Sequence, residues 1–312
     1  MKKILVIGSA VADVLLRVPH LPRTAESVNL SGQEVRMGGC AFNASEPLRR
    51  FKVPYTLFAP VGRGVYGDFV RARLGELGVS DPIPTPEEDN GCCYCFVEAG
   101  GERTFLSCHG AEYLFRPEWF ESLDVTEYGA VYLCGLEVEE RTGEVLLSFL
   151  EVHPELPVFF APGPRIHALQ RPRLRRVLDL PPLLHLNEAE ACYLASTLCG
   201  TAVENAAEAA KILHQRTGGT VAVTLGKRGC LYHSVDTSGV VPGVTAEVTD
   251  TVGAGDAHIG TLMARLALGD PMERALAVAN RFSAAVVETA GAQLSDAEFE
   301  KLHAQLCREG WL

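Results

Sequence analysis

The chain has 312 residues, of which 47% are hydrophobic and 21% are charged, and acidic residues outnumber basic ones 39 to 28. This balance can bury a sizeable core, and it excludes a disordered chain, a coiled coil and a collagen-like repeat. The net charge of −11 argues against a nucleic-acid-binding surface, because such surfaces carry a basic surplus.

The apolar runs of the sequence are short, well below the ~18 residues that a membrane span needs. The stretch from Met1 to Gly8 places two lysines before apolar residues, and we interpret it as a buried first strand and not as a signal peptide. Ten cysteines without a secretion signal are expected to be reduced thiols. We therefore expect a cytoplasmic protein without a membrane or nucleic-acid partner.

Short apolar runs alternate with amphipathic stretches along most of the chain. The predicted strands are 4–7, 56–61, 130–134, 157–160, 183–186 and 221–225, and the clearest predicted helices are 69–77, 141–152 and 203–216. Segments at about 11–35 and 91–107 break this rhythm and are typical of strand pairs. The pattern predicts an α/β fold with a mostly parallel sheet flanked by helices. Residues 1–312 would form one domain, with the two β-rich segments inserted as a small β-sheet lid.

The strongest motif is the segment DTVGAGD at 250–256, which precedes a helical pattern over 257–268. Gly253 and Gly255 let the backbone approach a ligand closely, and amide groups at a helix N-terminus bind phosphate. Asp256 falls in the first helical turn. Two interpretations are open there: a carboxylate that favours the helix dipole, or a base that takes a proton from a hydroxyl attacking phosphorus.

A second glycine pair, Gly38 and Gly39, precedes another helical stretch that carries Asn43. Close approach of a hydroxylated ligand is easy at such a pair, and the Asn43 amide can both donate and accept hydrogen bonds. Asp13 follows the first predicted strand, at the sheet edge where α/β folds bind ligands. Pro47 is tolerated only near the first turn of a helix, so we expect this helix to begin late.

Taken together, these motifs resemble those of the ribokinase-like PfkB family of carbohydrate and nucleoside kinases. The resemblance covers nearly the whole chain and includes the Asp13 region, Gly38-Gly39 with Asn43, NEAE at 187–190, TLGKRG at 224–229, DTVGAGD at 250–256 and AGAQ at 290–293. It implies a ribokinase-like fold and ATP-dependent, Mg²⁺-requiring phosphorylation of a hydroxyl, expected to be primary, on a small sugar or sugar-like alcohol.

The resemblance also implies roles for individual residues. Asp256 would be the general base, and the amides of Gly253, Ala254 and Gly255 would form the anion hole. The residues implied on the acceptor side are Asp13, Gly38, Gly39, Asn43 and Glu137. Those implied on the nucleotide side are Asn187, Glu190, Thr224, Gly226, Lys227, Gly229 and, near the adenine, Asn280. Glu190 would hold Mg²⁺ through water, and a potassium-like ion would lie among Asp250, Val252, Val286, Thr289, Gly291 and Ser295.

Several side chains carry two interpretations. Phe96 either covers a face of the sugar or packs between lid strands, and Arg165 either contacts an acidic substrate group or is a surface charge. His258 either reaches the anion hole or packs in the helix, and His109 either faces the acceptor pocket or belongs to an ordinary loop. Val11 and Cys40 depart from the residues of ribokinase itself and argue against a plain ribokinase.

Three alternatives to a sugar kinase are open. A nucleoside kinase would use the same fold with more room beside the lid, and a sugar-binding regulator would have no need of the base at Asp256. A nicotinamide dehydrogenase fits the βα rhythm, but the segment after Gly8 does not complete a GxGxxG fingerprint. Because lid strands expose unpaired edges, a homodimer through the lids is a further hypothesis.

Overall fold

The elements of the fold follow the alternation of apolar runs and amphipathic stretches along the chain. The structure, a computed structural model, describes residues 1–79, 83 and 87–312. Its strands are β1 (Lys3–Ile7), β2 (Val11–Arg17), β3 (Gly32–Gly38), β4 (Tyr55–Phe58), β5 (Cys92–Val97), β6 (Arg103–Cys108), β7 (Tyr128–Cys134), β8 (Val158–Ala161), β9 (Leu183–Asn187), β10 (Val221–Thr224), β11 (Cys230–His233) and β12 (Ser238–Val241). Its α-helices are α1 (Cys40–Arg50), α2 (Gly64–Glu76), α3 (Pro117–Glu121), α4 (Gly135–Glu139), α5 (Gly143–Val152), α6 (Arg171–Leu178), α7 (Glu188–Cys199), α8 (Ala206–Thr217), α9 (Ala254–Ala267), α10 (Met272–Val287) and α11 (Asp296–Arg308).

Eight strands form the main sheet, in the order β12-β11-β10-β9-β8-β7-β1-β4. All pairs from β10 to β4 are parallel, and β11 and β12 add an antiparallel edge. Alternate residues of β1 enter two hydrophobic clusters: Leu5 and Ile7 one of them, Ile4 and Val6 the other. Successive side chains of a strand point to opposite faces, so the sheet is buried on both sides. The predicted parallel sheet between helices is confirmed.

The other four strands form a separate sheet in the order β3-β2-β5-β6, which we call the lid. Within the lid, β3 and β2 pair antiparallel, as do β5 and β6, and β2 and β5 pair parallel. Both predicted strand pairs are therefore present. Their parallel junction between β2 and β5 is a long-range contact that no local turn signal encodes.

Helix α1 contradicts the expected late start. It begins directly after Gly39 and runs through Pro47 to Arg50. The helix packs very closely against α9: a side chain at Gly260 would approach the Ala44 carbonyl oxygen to 2.2 Å and the Pro47 ring to 3.0 Å. This tertiary packing outweighs the local cost of an internal proline.

Other expectations concern membranes and cysteine chemistry. Across the described residues, the helices all fall short of the length and apolarity required to cross a lipid bilayer. The ten cysteines are free thiols, as expected. In the same part of the chain, no group of three or more His, Cys, Asp or Glu side chains is placed to hold a metal ion.

Candidate active site

The first turn of α9 forms the centre of the site. Its N-cap, Gly253, has φ of +74°, and a side chain there would lie 2.3 Å from Cβ of Ala292. Only glycine combines this left-handed backbone with so close a neighbour. The Ala254 amide donates to the Thr251 carbonyl oxygen at 3.3 Å. The remaining amide groups of a first turn have no partner within the helix, so this turn can accept an anion.

Asp256 lies in that first turn and is partly buried. Its Oδ2 accepts a hydrogen bond from Nδ2 of Asn43 at 3.1 Å, and Oδ1 of Asn43 accepts in turn from Nε2 of Gln293 at 3.5 Å. The pKa of Asp256 is raised to about 7, chiefly by burial and also by the negative charges of Glu137 and Asp13, while the hydrogen bond from Asn43 lowers it. A carboxyl group with this pKa can take and return a proton near neutral pH.

The glycine pair after β3 makes room for Asp13. A side chain at Gly38 would lie 2.0 Å from Oδ2 of Asp13, and one at Gly39 would lie 2.4 Å from the Ser9 carbonyl oxygen. Gly39 also has φ of +102°, which favours glycine. Burial raises the pKa of Asp13 to about 6. The glycine pair therefore lets the Asp13 carboxylate lie close to the start of α1. Asn43 is on this helix, three residues after its first residue.

Glu137 lies on α4, directly after β7, and its side chain is fully buried. Its Oε1 accepts a hydrogen bond from the Ser9 amide at 3.0 Å, whereas Oε2 has no partner within the described ranges. Burial raises the pKa of Glu137 to about 7. A buried carboxylate oxygen without a partner is costly, so this atom can accept a further hydrogen bond.

A cavity of about 290 Å³ lies on the other side of the α9 turn. It brings together residues from β10, from the turn that follows it and from α10 with the start of α9. Its lining includes Thr224, Gly226, Lys227, Gly229, Ala254, Gly255, His258, Asn280 and Ser283. The structure therefore joins most of the predicted nucleotide-side residues to the predicted anion hole.

Asn280 lines this cavity, but its amide is engaged by the protein. Its Nδ2 donates to the carbonyl oxygens of Val241 (3.2 Å) and Pro242 (3.0 Å), and its Oδ1 faces Nε2 of His258 at 3.0 Å. Nδ1 of His258 lies 2.9 Å from Nε2 of His185. Because the Asn280 oxygen must accept, His258 carries its proton on Nε2 and accepts from His185.

The hydrogen bonds from Asn280 through His258 to His185 decide between the two interpretations of His258. Both histidines are buried, and burial lowers the pKa of His258 to about 4. His258 is therefore a neutral, hydrogen-bonded core histidine at the back of the cavity. Asn280 fixes the backbone at 241–242 with both hydrogens of its amide, and its oxygen keeps one lone pair after the bond to His258.

Asn187 and Glu190 form a capping box at the start of α7. The Glu190 amide donates to Oδ1 of Asn187 at 2.8 Å, and Glu190 oxygens accept from the Asn187 amide (3.0 Å) and from its Nδ2 (2.7 Å). Asn187 ends β9, and its register partner on β10 is Thr224. The pair therefore lies beside the cavity, on a neighbouring strand end.

Several of the residues predicted to hold a monovalent cation already have hydrogen-bond or ion-pair partners within the protein. The Asp250 carboxylate accepts from the amides of Val252 (3.0 Å) and Gly291 (2.9 Å), and Nη1 of Arg103 lies 2.7 Å from its Oδ1. The carbonyl oxygen of Val286 accepts from the amide and the hydroxyl of Thr289. Ser295 caps α11, with its hydroxyl bonded to Glu298.

Two predicted contacts, those of Phe96 and Arg165, need correction or qualification. The register pairs Cys95 with Phe105 and Asp13 with Cys93, so Phe105 shares the lid face of Asp13 and Phe96 lies on the opposite face. Phe96 therefore does not cover the acceptor. Arg165 is exposed and forms an ion pair with Glu139, in keeping with a surface charge.

His109 is an ordinary loop residue in the structure. Its Nδ1 lies within hydrogen-bond distance of Glu140, and its ring packs against that of Tyr113 with centroids 4.4 Å apart.

Sequence reasoning missed four residues that support the site: Arg36, Arg103, His185 and Gln293. Arg36 donates to the Ala290 carbonyl oxygen at 2.9 Å and also pairs with Glu34. All four act through contacts distant in the chain. Of the four, only Gln293 had a sequence signal, because it is the last residue of the AGAQ motif at 290–293.

Comparison with known proteins agrees with this architecture. Residues 1–298 match the family described as pfkB family carbohydrate kinase. An uncharacterized sugar kinase of Escherichia coli (strain K12), YegV, is 33% identical over 301 residues, which cover 96% of this chain and 93% of that protein.

Two solved structures share the fold. The ribokinase of Cryptococcus neoformans, in complex with ADP, superposes with a TM-score of 0.81 and 24% identity, covering 99% of this chain and 100% of that one. A nucleoside kinase of Methanocaldococcus jannaschii gives a TM-score of 0.79 and 20% identity, with 97% and 99% covered. From the family match and the full-length relative, the chain belongs to the pfkB family of carbohydrate kinases.

Proposed function

We propose that the protein transfers the γ-phosphoryl group of ATP to a hydroxyl, expected to be primary, of a small uncharged sugar or sugar-like polyol. The observation that carries this proposal is the position of Asp256. It lies between the acceptor-side carboxylates and the cavity that holds the predicted nucleotide residues, in the turn whose amides can accept an anion. A nucleotide in that cavity is supported by the ADP bound to the related ribokinase.

In this mechanism Asp256 removes the proton of the acceptor hydroxyl. The acceptor oxygen forms a bond to the γ-phosphorus while the bond from phosphorus to the β–γ bridging oxygen breaks, and ADP leaves. The amides of Gly253 and Gly255 stabilise the negative charge of the transferred group, and the Ala254 amide would join them by giving up its 3.3 Å hydrogen bond to the Thr251 carbonyl oxygen. Asn43 keeps the Asp256 carboxylate oriented, and Gln293 fixes which end of the Asn43 amide faces it.

Mg²⁺ is part of the proposal. Glu190 and Asn187 suit a magnesium shell of water molecules, because each Glu190 oxygen accepts one bond from Asn187 and has a further lone pair. Bound there, Mg²⁺ would neutralise charge on the nucleotide phosphates. Lys227 lies along the same cavity and would add a positive charge.

The charges around the acceptor site favour an uncharged acceptor. Asp13, Glu137 and Asp256 present carboxyl groups that suit hydroxyl donors and repel a carboxylate or a phosphate. The arginines nearby are each paired, Arg36 with Glu34, Arg103 with Asp250 and Arg165 with Glu139. A sugar acid or a sugar phosphate would have to compete with these carboxylates for a guanidinium group.

The space beneath the lid is small for any acceptor. The cavity between Asp13 and the lid arginines measures about 30 Å³, about the volume of one water molecule. Either acceptor therefore requires the lid to open, and a nucleoside, with a base beside its sugar, requires the larger opening. The nucleoside kinase stays the alternative, because a related structure is a nucleoside kinase.

The first experiment measures ADP release from MgATP with a panel of sugars, polyols, sugar acids and nucleosides. We expect one strong uncharged acceptor, and a loss of about 10²–10⁴ in kcat for Asp256→Asn with ATP affinity largely unchanged. Near-normal turnover of that variant would overturn the mechanism, and preference for a sugar acid would overturn the acceptor class. Thermal stabilisation by a sugar without any turnover would indicate a sugar-binding regulator.

Two other expectations stay predictions from the sequence. These are a cytoplasmic location and a homodimer formed through the lids.

A further inference from the structure

Two arginines of the lid reach the loops that flank the anion hole. Arg103 begins β6, one edge strand of the lid, and Arg36 lies on β3, the other edge strand. Arg103 pairs with Asp250, and Arg36 donates to the Ala290 carbonyl oxygen. The lid therefore contacts both loops, and it does so from both of its edges.

Asp250 connects those two loops to each other. Its carboxylate accepts from the amide of Val252, next to Gly253, and from the amide of Gly291, next to Ala292. Gly253 and Ala292 are themselves in tight contact, since a side chain at Gly253 would strike Cβ of Ala292. A shift of the Asp250 carboxylate would therefore move the Gly253 amide of the anion hole.

The Asp250 side chain is only 2% exposed, and an unpaired carboxylate in such a place is strongly unfavourable. The family resemblance implies a potassium-like ion beside Asp250, held by backbone carbonyls of the residues that flank the anion hole. The residues present do not fit such an ion with the lid in this position, because Nη1 of Arg103 already lies 2.7 Å from Oδ1. A cation bound to the same carboxylate would lie against the guanidinium and be repelled by it. The carbonyl oxygen of Val286, another predicted ligand, is occupied by the two Thr289 donors.

We infer that Arg103 is a positioning residue that supplies, from the lid, the positive charge at Asp250, so that the anion hole is held in place without a monovalent cation. This inference rests on the proposed function for its kinetic part. It links the closed lid to the amides that receive the phosphoryl group. Loss of Arg103 should therefore lower kcat more than it raises either KM.

The test compares wild-type protein, Arg103→Ala, Arg103→Lys and the control Arg17→Ala. Arg17 is an exposed arginine of the same lid sheet, on β2. Wild-type kcat should agree within about twofold in potassium and tetramethylammonium chloride at equal ionic strength. Arg103→Ala should lose about 10- to 100-fold in kcat, as expected when an anion hole is misplaced. Millimolar guanidinium or potassium ions should restore part of that loss, Arg103→Lys should retain more activity, and Arg17→Ala should match the wild type.

A second readout needs no acceptor. The melting temperature of the wild type should be the same in potassium, rubidium and tetramethylammonium chloride. A saturable, potassium-selective rise would overturn the inference, as would severalfold potassium stimulation of wild-type turnover or unchanged kcat in Arg103→Ala. If no acceptor in the panel is phosphorylated, the proposed function fails, and the melting data still decide whether a cation binds.

Discussion

Glu137 offers a quantitative test of the site's electrostatics. Its side chain is fully buried, and its pKa of about 7 lies about 2.5 above the ordinary value of 4.5. One pKa unit corresponds to about 1.4 kcal/mol, so ionised Glu137 costs the folded state about 3 kcal/mol relative to the unfolded chain. Because the pKa of Glu137 is higher in the folded state, the protein keeps its full unfolding free energy below the unfolded pKa. That extra stability is lost as pH rises through about 7.

The variant Glu137→Gln removes this titration. Between pH 4.5 and pH 8 the wild type should lose about 3 kcal/mol of unfolding free energy more than the variant does. Loss of the Glu137 charge also lowers the pKa of Asp256, which adds to the difference in the same direction.

The measurement is urea unfolding followed by circular dichroism at several pH values. The exposed Glu300→Gln serves as the matched control and should parallel the wild type. Parallel pH dependences for wild type and Glu137→Gln would refute the reasoning, whatever the absolute stabilities are. The same variant should raise the acceptor KM, because the uncharged amide is a weaker hydrogen-bond acceptor.

Three more outcomes are expected. The kcat/KM for the acceptor should rise with pH through about 7 and then level off, because Asp256 must be ionised to act as a base; a flat profile between pH 5.5 and 8 would contradict this role. Gly38→Ala should raise the acceptor KM roughly tenfold and leave the ATP KM unchanged, since the new Cβ would meet the Asp13 carboxylate, whereas the unobstructed Gly75→Ala should behave as wild type in steady-state kinetics. Light scattering should give the mass of two chains, because β3 and β6 are lid edges and Phe105 and Leu106 are 52% and 62% exposed on β6; a monomer at assay concentration would exclude lid pairing.

Much of the fold could be predicted because the relevant signals are local. The continuous apolar run of β1 and the turn between β5 and β6 are set by neighbouring residues. The glycines at 38–39 and 253–255 could be recognised because their backbone positions need glycine in any context.

The rest depends on contacts between distant segments. Pro47 was misjudged because the packing of α1 on α9, which offsets the proline, involves residues more than 200 positions apart. The lid face on which Phe96 lies could not be predicted, because side-chain direction depends on strand register, and the register of β5 is fixed by β2 and β6. The Arg103–Asp250 pair joins two motifs whose separate patterns carry no sign of each other.

The close contact between α1 and α9 has a mechanical consequence. Helix α1 carries Asn43 and helix α9 carries Asp256, and the two helices touch backbone to backbone at Ala44 and Gly260. Because no flexible side chain separates the helices at this crossing, we expect Asp256 and Asn43 to move together as one rigid part. Adjustment to an incoming acceptor then falls to the other part, the lid with its two arginines. In the proposed mechanism, α1 and α9 therefore hold the reacting groups fixed, and the lid is the part expected to move when the acceptor binds.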